Sequence, residues 1–444
     1  MGRELPRPQA RMRKQTMSPY VDSHYARTRQ ETRTYPPLGG DLDVDVVVIG
    51  AGLAGSGTAL DLARRGRRVA LIEAHKVGWG ASGRNGGFAS EAFSGGLTAL
   101  VERVGLERAR RYQAVASRGL QLVEERIREF SIHCGPLQRG ALRCNFVTGG
   151  AEISLRYRDF LAENFGIHYE YWPRDRLREA LSTDQYLDAL FVPSTMAVHP
   201  LDLTCGMARA SEEAGAQVFE NTPARRISTI GGRKRIETPA GRITAESIVI
   251  TCGGYIDGLH RPVSDGTVPI ATFVMATEPL GDHLRDAIRV PYAIFDNTFA
   301  VNYYRPLPDS RMLWGGRVAA WEPSAARIGE DLRRDMVQFY PSLADARVDV
   351  AWGGMMPYTR HKMPVIGQTA PGIWYATGFG GLGVTLTAAF GELMARAIVD
   401  GDDAWRMFDA FGLPYAGGKL GKVPAQLVYW SHQLRAALHR PTAH

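Results

Sequence analysis

The stretch from Asp43 to Glu73 constrains the fold of this chain more than any other part of the sequence. It opens with an apolar, β-branched run over 44–49, which is typical of a strand buried on both faces. A glycine-rich turn over 50–55 follows, then helical spacing over 58–65 and a second apolar strand over 69–72. These patterns predict a βαβ unit whose second strand ends at an acidic residue.

The three glycines of this turn each have a physical role if the unit binds a dinucleotide. Gly50 allows a sharp turn, Gly52 leaves room for a pyrophosphate, and Gly55 lets the helix pack closely on the strand. The helix N-terminus offers free N–H groups and a positive dipole end to the phosphates. Glu73 would accept hydrogen bonds from ribose hydroxyls. The alternative is a tight turn without a ligand, but the complete unit favours a nucleotide.

A second glycine-rich loop, over 78–88, follows the acidic residue. A nicotinamide cofactor does not need such a loop, whereas a longer ligand needs close approach of the backbone at a further point. The sequences GAGLAGSG, IEA and GASGRNGG resemble those of FAD-dependent amine and amino-acid oxidases of the D-amino acid oxidase superfamily. The likeness is greatest to the γ-glutamylputrescine oxidase branch, which also carries sequences similar to ATEPL, YYRP and WGGR.

A third glycine corner lies near the end of the chain. A strand over 373–376 leads into Gly378 to Thr385, and a helix then continues to Ile398. The resemblance implies that the N-terminus of this helix faces the flavin pyrimidine and stabilises negative charge on the reduced ring. A turn that serves only packing is the alternative. Leu382 stands where close relatives often carry histidine, so only a backbone role is expected there.

The resemblance implies an FAD site built from these corners and two further strand ends. The FAD is expected to be noncovalent, because Met355 and Met356 stand where relatives with covalent flavin carry a cysteine. The residues expected to hold it are Gly50, Gly52, Leu53, Ala54, Gly55, Glu73, Ala74, Gly80, Ala81, Ser82, Arg84, Asn85, Gly86, Gly87, Ala224, Thr251, Gly253, Gly378, Gly380, Gly381, Leu382, Gly383, Val384 and Thr385.

The resemblance also implies an α/β fold with two discontinuous domains. One is a Rossmann-like FAD-binding domain with a parallel sheet and a β-meander. The other is a substrate domain with a mixed, largely antiparallel sheet and helices. We predict the FAD-binding domain at 41–95, 199–265 and 350–404, and the substrate domain at 96–198 and 266–349. The ends would be a basic, partly disordered extension over 1–40 and a helical tail over 405–444, whose apolar face makes an oligomer possible.

Composition narrows the class of protein. With 444 residues and 45% apolar content, two domains are expected. No long uncharged apolar run is present, so we expect a cytoplasmic protein without a transmembrane segment. The net charge of +7 is carried by the two ends, which argues against a nucleic-acid partner for the folded body. The four cysteines have no paired spacing, and no metal site is predicted.

The implied reaction oxidises the C–N bond of a small amine or amino acid. It passes a hydride to flavin N5, releases an imine that water hydrolyses, and uses oxygen as the electron acceptor with formation of hydrogen peroxide. Tyr303, Tyr304 and Arg305 are the candidate catalytic residues, followed by His361. Tyr304 or Arg305 could hold a substrate carboxylate, although strand alternation alone would place half of these side chains away from a site.

Two alternatives remain open at this point. Relatives of the sarcosine oxidase type place an oxygen-activating lysine where this chain has Met312-Leu313-Trp314. An FAD-dependent dehydrogenase that passes electrons to a carrier would therefore show the same motifs. A noncatalytic, flavin-bearing subunit of a larger assembly is the second alternative, suggested by the basic ends and by Leu382.

Overall fold

The computed structural model describes residues 19–146, 151–297, 301–418 and 420–438. Within these ranges the chain forms 19 strands. In chain order they are β1 Leu42–Asp43, β2 Val46–Ile49, β3 Val69–Ile72, β4 Phe88–Ala89, β5 Gln138–Asn145, β6 Glu170–Trp172, β7 Asp188–Ala197, β8 Gln217–Phe219, β9 Arg226–Ile230, β10 Arg233–Glu237, β11 Arg242–Ala245, β12 Ser247–Ile250, β13 Val268–Thr277, β14 Ala293–Asp296, β15 Tyr303–Pro306, β16 Met312–Ala319, β17 Val348–Tyr358, β18 Val365–Ala370 and β19 Ile373–Thr377.

The same ranges contain 12 α-helices. They are α1 His24–Thr28, α2 Leu53–Arg64, α3 Leu97–Val104, α4 Leu106–Glu129, α5 Ala151–Phe165, α6 Arg174–Ala180, α7 Pro200–Glu213, α8 Arg261–Asp265, α9 Asp282–Ala287, α10 Ala325–Phe339, α11 Gly383–Val399 and α12 Lys422–Leu438. None of the helices described is long and apolar enough to cross a membrane. Side chains are described in α12 only up to Ser431.

The first sheet is six-stranded, in the order β18-β19-β12-β2-β3-β8. Every neighbouring pair is parallel except β18 and β19. All four residues of β2 and of β3 are buried, which explains why both read as unbroken apolar runs. Helix α2 packs against α7 and α11, and the meander β9-β10-β11 contacts β12 and β2. The predicted βαβ unit and meander are therefore confirmed.

The second sheet has nine strands in the order β17-β13-β16-β15-β14-β5-β7-β4, with β6 paired to β7. Its neighbouring strands are antiparallel except for β14 and β5, which run parallel. Helix α10 packs on β17, β13 and β16. A separate apolar cluster that includes Trp314, Tyr304 and Phe339 fills the space between this sheet and its helices. The predicted mixed, largely antiparallel sheet is confirmed.

The structure differs from the predicted organisation in two strands. The prediction placed residues from 350 onward in the FAD-binding domain, yet β17 pairs with β13 from Val268↔Tyr358 to Thr277↔Val348 and so belongs to the nine-stranded sheet. The long strand β7 was missed altogether, because its apolar residues do not alternate cleanly with polar ones. Both differences concern strands whose place is fixed by distant partners rather than by local pattern.

The first part of the described chain lies as an arm along the molecule. We call residues 19–38 the N-terminal arm. Tyr20 donates a hydrogen bond to the Val77 carbonyl at 2.8 Å, and the backbone amides of Gln30 and Glu31 both donate to the Asp202 carboxylate at 2.9 Å. The arm is thus attached to the six-stranded side of the molecule at several points. The predicted disordered segment at the start of the chain falls on residues outside the described ranges.

Candidate functional site

A cavity of about 1810 Å³ lies between the two large sheets. One side is formed by the carboxyl ends of β2, β3 and β12, where the glycine corners follow. The other side is formed by β14, β15 and the end of β17 from the nine-stranded sheet. Ligands of open α/β sheets bind at the carboxyl ends of parallel strands. The volume exceeds that of an ordinary small-molecule pocket and leaves room for a dinucleotide together with a substrate.

The first glycine corner places an acidic side chain where two adjacent parallel strands end. The Glu73 carboxylate accepts hydrogen bonds from the backbone amides of Ala51 and His75, each at 2.9 Å. Burial raises the pKa of this carboxyl, while the two amides favour its charged form. Two amides leave further lone pairs of the carboxylate available to ligand hydroxyls.

The corner itself has no room for larger residues. A Cβ on Gly55 would lie 1.8 Å from the Gly50 carbonyl oxygen, and one on Gly52 would lie 2.7 Å from Ser82 Oγ. Ser82 Oγ accepts a hydrogen bond from the Leu53 amide at 3.0 Å, which joins the second glycine loop to the start of α2. The first amides of a helix lack partners within the helix and carry positive partial charge. This corner therefore fits a phosphate-bearing ligand.

Arg84 connects the second glycine loop to β17. Arg84 Nε donates to the Trp79 carbonyl at 2.7 Å and Nη1 to the Gly353 carbonyl at 3.2 Å. Its guanidinium lies over the Trp79 ring, 4.3 Å from the centroid. The buried Nη2 has no acceptor among the described residues. An unpaired buried donor is costly. A ligand oxygen at the cavity wall would accept the hydrogen bond that Nη2 can donate.

The third glycine corner lies where α11 begins. A Cβ on Gly380 would lie 2.6 Å from Ser94 Oγ, and one on Gly381 would lie 3.2 Å from Met356 sulfur. Leu382 is the N-cap residue of α11, and Gly380, Gly381 and Leu382 line the cavity. The corner therefore brings backbone and a helix N-terminus to the cavity, at a place where wider side chains would collide with its neighbours.

The structure brings most of the predicted cofactor residues to this one cavity. Those that line it are Gly50, Gly52, Leu53, Ala54, Glu73, Ala74, Gly80, Ala81, Ser82, Arg84, Asn85, Gly86, Ala224, Thr251, Gly253, Gly380, Gly381, Leu382, Gly383 and Val384.

Four of the predicted cofactor residues lie behind the cavity wall instead. Gly55 packs on the strand. A Cβ on Gly87 would lie 2.2 Å from the Val198 carbonyl oxygen, and one on Gly378 would lie 2.7 Å from the Thr359 side chain. Thr385 Oγ1 donates to the Ser90 carbonyl at 2.6 Å. These four shape the corners without facing a ligand.

The nine-stranded sheet presents a row of side chains to the cavity. In register across three neighbouring strands stand Arg143 on β5, Phe295 on β14 and Tyr303 on β15. All three line the cavity. The Tyr303 ring packs edge-on against Phe88, with the centroids 5.8 Å apart. Burial raises the pKa of Tyr303, so its hydroxyl stays protonated at neutral pH.

Of the four predicted catalytic residues, Tyr303 alone lines the cavity. The side chain of Tyr304 points to the opposite face of β15, as strand alternation requires, and is fully buried at 0% exposure. Its ring stacks on Trp314 at 4.3 Å, and its hydroxyl lies 2.9 Å from that of Tyr340. The expectation that Tyr304 holds a substrate carboxylate is corrected accordingly.

The other two predicted catalytic residues are also placed away from the cavity. Arg305 is neither solvated nor ligand-facing: it is buried, and Nη2 donates to the Val198 carbonyl at 3.0 Å. His361 lies between loops, where Nδ1 accepts from the Met363 amide at 3.1 Å and Nε2 lies 3.2 Å from the Gly412 carbonyl. Both side chains support the backbone behind the cavity.

Sequence reasoning missed several residues that line the cavity. They are Arg143, Phe295, Tyr255, Tyr358 and Lys362. None stands in a glycine motif, and each reaches the cavity through long-range strand pairing or a loop. A local signal was present only for Tyr255, which directly follows Gly253-Gly254.

Cys252 is the one thiol among the described residues that line the cavity. It follows β12, and its sulfur lies 3.5 Å from the Ile49 carbonyl oxygen. Burial raises the pKa of this thiol to about 12, so the nucleophilic thiolate is disfavoured. No group of three or more potential metal-ligating side chains occurs in the described ranges.

Comparison with known proteins gives consistent matches along most of the chain. The family model "DAO: FAD dependent oxidoreductase" matches residues 45–397. "Probable oxidoreductase OrdL" of Haemophilus influenzae is 30% identical and covers 91% of this chain and 94% of the relative. "Gamma-glutamylputrescine oxidoreductase" of Escherichia coli is 29% identical, with 92% and 96% covered. The solved structure of glycine oxidase from Geobacillus kaustophilus has a TM-score of 0.68 at 21% identity, with 82% and 96% covered.

Proposed function

The chain belongs to the DAO family of FAD-dependent oxidoreductases, and from this membership we propose that it oxidises the C–N bond of a small amine or amino acid. The observation that carries the proposal is a single cavity in which glycine corners face a wall of aromatic and cationic side chains. The name of the similar gamma-glutamylputrescine oxidoreductase supports an amine-bearing substrate.

The residues of the corners would hold FAD. Glu73 would accept the ribose hydroxyls, and the amides at the start of α2 would receive the diphosphate. Arg84 Nη2 would donate to a cofactor oxygen, and the corner over 380–383 would lie against the flavin ring. The binding would be noncovalent, because Met355 and Met356 stand where relatives with covalent flavin carry a cysteine.

The chemistry supplied by bound FAD is acceptance of a hydride from the carbon that bears the amine; the imine is hydrolysed by water, and oxygen takes up the electrons as hydrogen peroxide. The chain's own residues would orient the substrate and exclude water. Tyr303 and Tyr358 would act as hydrogen-bond donors and not as bases, because burial raises the pKa of both hydroxyls, that of Tyr358 to about 12.

Oxygen is the proposed electron acceptor. Reduction of oxygen develops negative charge, which a nearby cation stabilises. Lys362 lines the cavity, and its ammonium group would be the cation in this role. The segment Met312-Leu313-Trp314, where sarcosine oxidase relatives carry their lysine, is buried in β16 and supplies no charge.

The test is anaerobic mixing of purified, FAD-loaded protein with a panel of small amines and amino acids, followed by admission of air. We expect the flavin absorbance to bleach with at least one compound and to return within seconds in air, with one hydrogen peroxide formed per amine oxidised. Slow return in air together with rapid return on addition of an artificial electron carrier would indicate a dehydrogenase. A flavin that no amine bleaches, although dithionite does, would contradict the proposal and favour a noncatalytic flavin subunit.

A further inference from the structure

We propose that the outward side of the C-terminal helix α12, with the turn that leads into it, joins two copies of this chain in a symmetric dimer. We call this surface the tail face, and it consists of Leu420, Val423, Leu427 and Trp430. The inference does not depend on the proposed function, because it concerns a contact between subunits and no step of the reaction.

The tail face concentrates exposed apolar side chains. Leu420 is 78% exposed, Val423 52%, Leu427 57% and Trp430 56%. Among the described residues, six of the eleven large apolar side chains that are exposed fall within 415–430. Single exposed apolar residues are ordinary, whereas a continuous group of them marks an interaction site.

The opposite side of α12 is fixed to the nine-stranded sheet. The helix contacts β13 and β16. Gln426 Oε1 accepts a hydrogen bond from the Ala320 amide at 2.8 Å, and the Tyr429 side chain is buried. Ahead of the helix, the Ala416 amide donates to the Asp265 carbonyl at 2.8 Å. Because these contacts hold one side of the helix inward, the tail face points away from the molecule.

The spacing of the tail face matches that of a seam between two helices. Its four residues follow one another at intervals of three, four and three positions, and the sequence continues with Leu434 four positions later. This is the a/d spacing by which one helix packs along another. A narrow stripe of this kind is typical of helix pairing. A second copy carries the same stripe, so the face is complementary to itself across a two-fold axis.

The tail face lies beside an opening of the large cavity. Trp321 is 53% exposed and also lines the cavity, as Lys422 at the start of α12 does. Trp321 directly follows Ala320, whose amide is bound by Gln426 of the helix. A second copy on the tail face would therefore stand next to this opening and cover part of Trp321.

The exposed area is sufficient for a dimer that dissociates on dilution. With Trp321 included, the tail face leaves roughly 600 Å² of apolar surface open on each copy, the upper end for the largest patch of a typical monomer. Two copies would bury about 1,200 Å² in total, the lower limit for a specific, stable interface. We therefore expect a reversible association and not an obligate one.

A second copy fits this surface better than a lipid membrane does. Helices that lie on membranes combine an apolar side with a polar side rich in Lys and Arg. Between Leu420 and Ser431 the sequence has one charged residue, Lys422. The side opposite the apolar stripe packs on the sheet, so α12 does not present a charged polar side to lipid headgroups.

The test variant is Leu427→Glu, which places a charge in the middle of the tail face. Its matched control is Ile230→Glu. Ile230 ends β9 in the meander and is 52% exposed, so this variant adds the same charge at an equally exposed apolar position elsewhere. Since both side chains are exposed, we expect both variants to fold. FAD content and thermal melting are measured first.

The dissociation constant of the dimer is the first measurement. Sedimentation equilibrium of the FAD-loaded protein is recorded over a range of concentrations. We expect the wild-type protein to pass from monomer to dimer as its concentration rises. Leu427→Glu should raise the Kd by about thirtyfold or more, as expected when a central interface residue is lost, and Ile230→Glu should leave it unchanged. A wild-type protein that stays monomeric, or an equal effect of both variants, would overturn the inference.

Protection of the tail face is the second measurement. The thiols introduced by Leu427→Cys and by Ile230→Cys are labelled with a fluorescent maleimide, and labelling of the wild-type cysteines is subtracted. We expect labelling at position 427 to slow as the protein concentration rises through the Kd, while labelling at position 230 keeps a constant rate. A dimer whose position 427 is labelled at one rate throughout would use another surface, and the inference would be wrong.

Sedimentation with lipid vesicles separates the membrane alternative. Wild-type protein is mixed with vesicles of phosphatidylethanolamine and phosphatidylglycerol and centrifuged. We expect it to remain in the supernatant, as Leu427→Glu should. Vesicle binding by the wild-type protein that Leu427→Glu abolishes would assign the tail face to a lipid surface and overturn the inference.

Discussion

The two walls of the cavity are built in opposite ways. The wall from the six-stranded sheet is made largely of backbone, with Glu73 and Arg84 as its main polar side chains: Gly50, Gly52 and Gly380 leave space, and helix ends supply charge. The wall from the nine-stranded sheet is made of side chains, with Arg143, Phe295 and Tyr303 in one row. A common cofactor can be held by backbone, whereas a particular substrate must be distinguished by side chains.

This difference also separates what a substitution should do in each wall. In the backbone wall a new side chain would meet backbone carbonyls at Gly50 and Gly55, and the short Ser82 and Ser94 side chains at Gly52 and Gly380, so there is little room to adjust. In the side-chain wall the neighbours are rings and long side chains, which can turn at moderate cost. Substitutions in the first wall should therefore remove the cofactor, and substitutions in the second should change turnover while the cofactor stays bound.

The largest effect is expected for Gly55→Ala. The new Cβ would lie 1.8 Å from the Gly50 carbonyl oxygen and 2.8 Å from Thr251 Oγ1, so α2 must move away from the strand. We expect a loss of about 3 kcal/mol or more in the free energy of unfolding and protein purified without bound FAD. The ratio of flavin to protein absorbance and urea unfolding measure the two effects.

Gly39→Ala is the matched control for Gly55→Ala, since a Cβ there meets nothing within 4 Å. It should keep full FAD content and change stability by less than about 0.5 kcal/mol. Full FAD content in Gly55→Ala would contradict the backbone account of the first wall.

A smaller effect, confined to turnover, is expected for Gly315→Ala in the second wall. The new Cβ would lie 2.1 Å from Tyr303 Cε2, so the ring must turn out of the row. Because small misplacements of orienting groups cost one to two orders of magnitude, we expect kcat/KM to fall about tenfold to hundredfold with FAD content unchanged. Stopped-flow flavin reduction by the best amine of the panel measures this.

The neighbouring Gly316→Ala serves as its control. There the nearest atom to the new Cβ is Asn302 Oδ1 at 3.1 Å, and Tyr303 is not among the near atoms. We expect flavin reduction within about threefold of wild type, in line with a tolerated small overlap. Loss of FAD from Gly315→Ala would show that the two walls are not separable in this way.

The same contrast explains how far the sequence alone predicts this molecule. The strands β2 and β3 and the first corner could be predicted, because local apolar runs and glycines decide them. The helix after the corner begins at Leu53 and not at Thr58, since the glycines themselves form its first turn. The corner at the start of α11 could be predicted for the same local reason.

The second wall could not be predicted, because distant pairings decide it. Arg143 and Phe295 are adjacent only through the parallel pairing of β5 with β14. Within β15 the sequence shows two successive tyrosines, and alternation requires that they face opposite sides. Which of them faces the cavity depends on Trp314 and Tyr340, which pack around Tyr304 from other elements.

The smallest effect is expected at Tyr304, which the sequence suggested as a catalytic residue and which the structure places in the apolar core. Tyr304→Phe removes one hydroxyl that lies 2.9 Å from the Tyr340 hydroxyl and 3.2 Å from that of Tyr186. The ring and its stacking on Trp314 remain. We expect the free energy of unfolding to fall by about 1–2 kcal/mol, because two buried hydrogen bonds are lost, with kcat/KM unchanged within twofold.

Tyr303→Phe, one residue earlier, provides the reciprocal measurement. Its hydroxyl stands at the cavity, so its removal should lower kcat/KM and leave urea unfolding nearly unchanged. The two substitutions each remove a single oxygen atom, one from the cavity face of β15 and one from its core face. Their effects therefore compare the two faces of this strand directly. If Tyr304→Phe lowered turnover as much as Tyr303→Phe did, the cavity face of β15 would have been assigned to the wrong tyrosine.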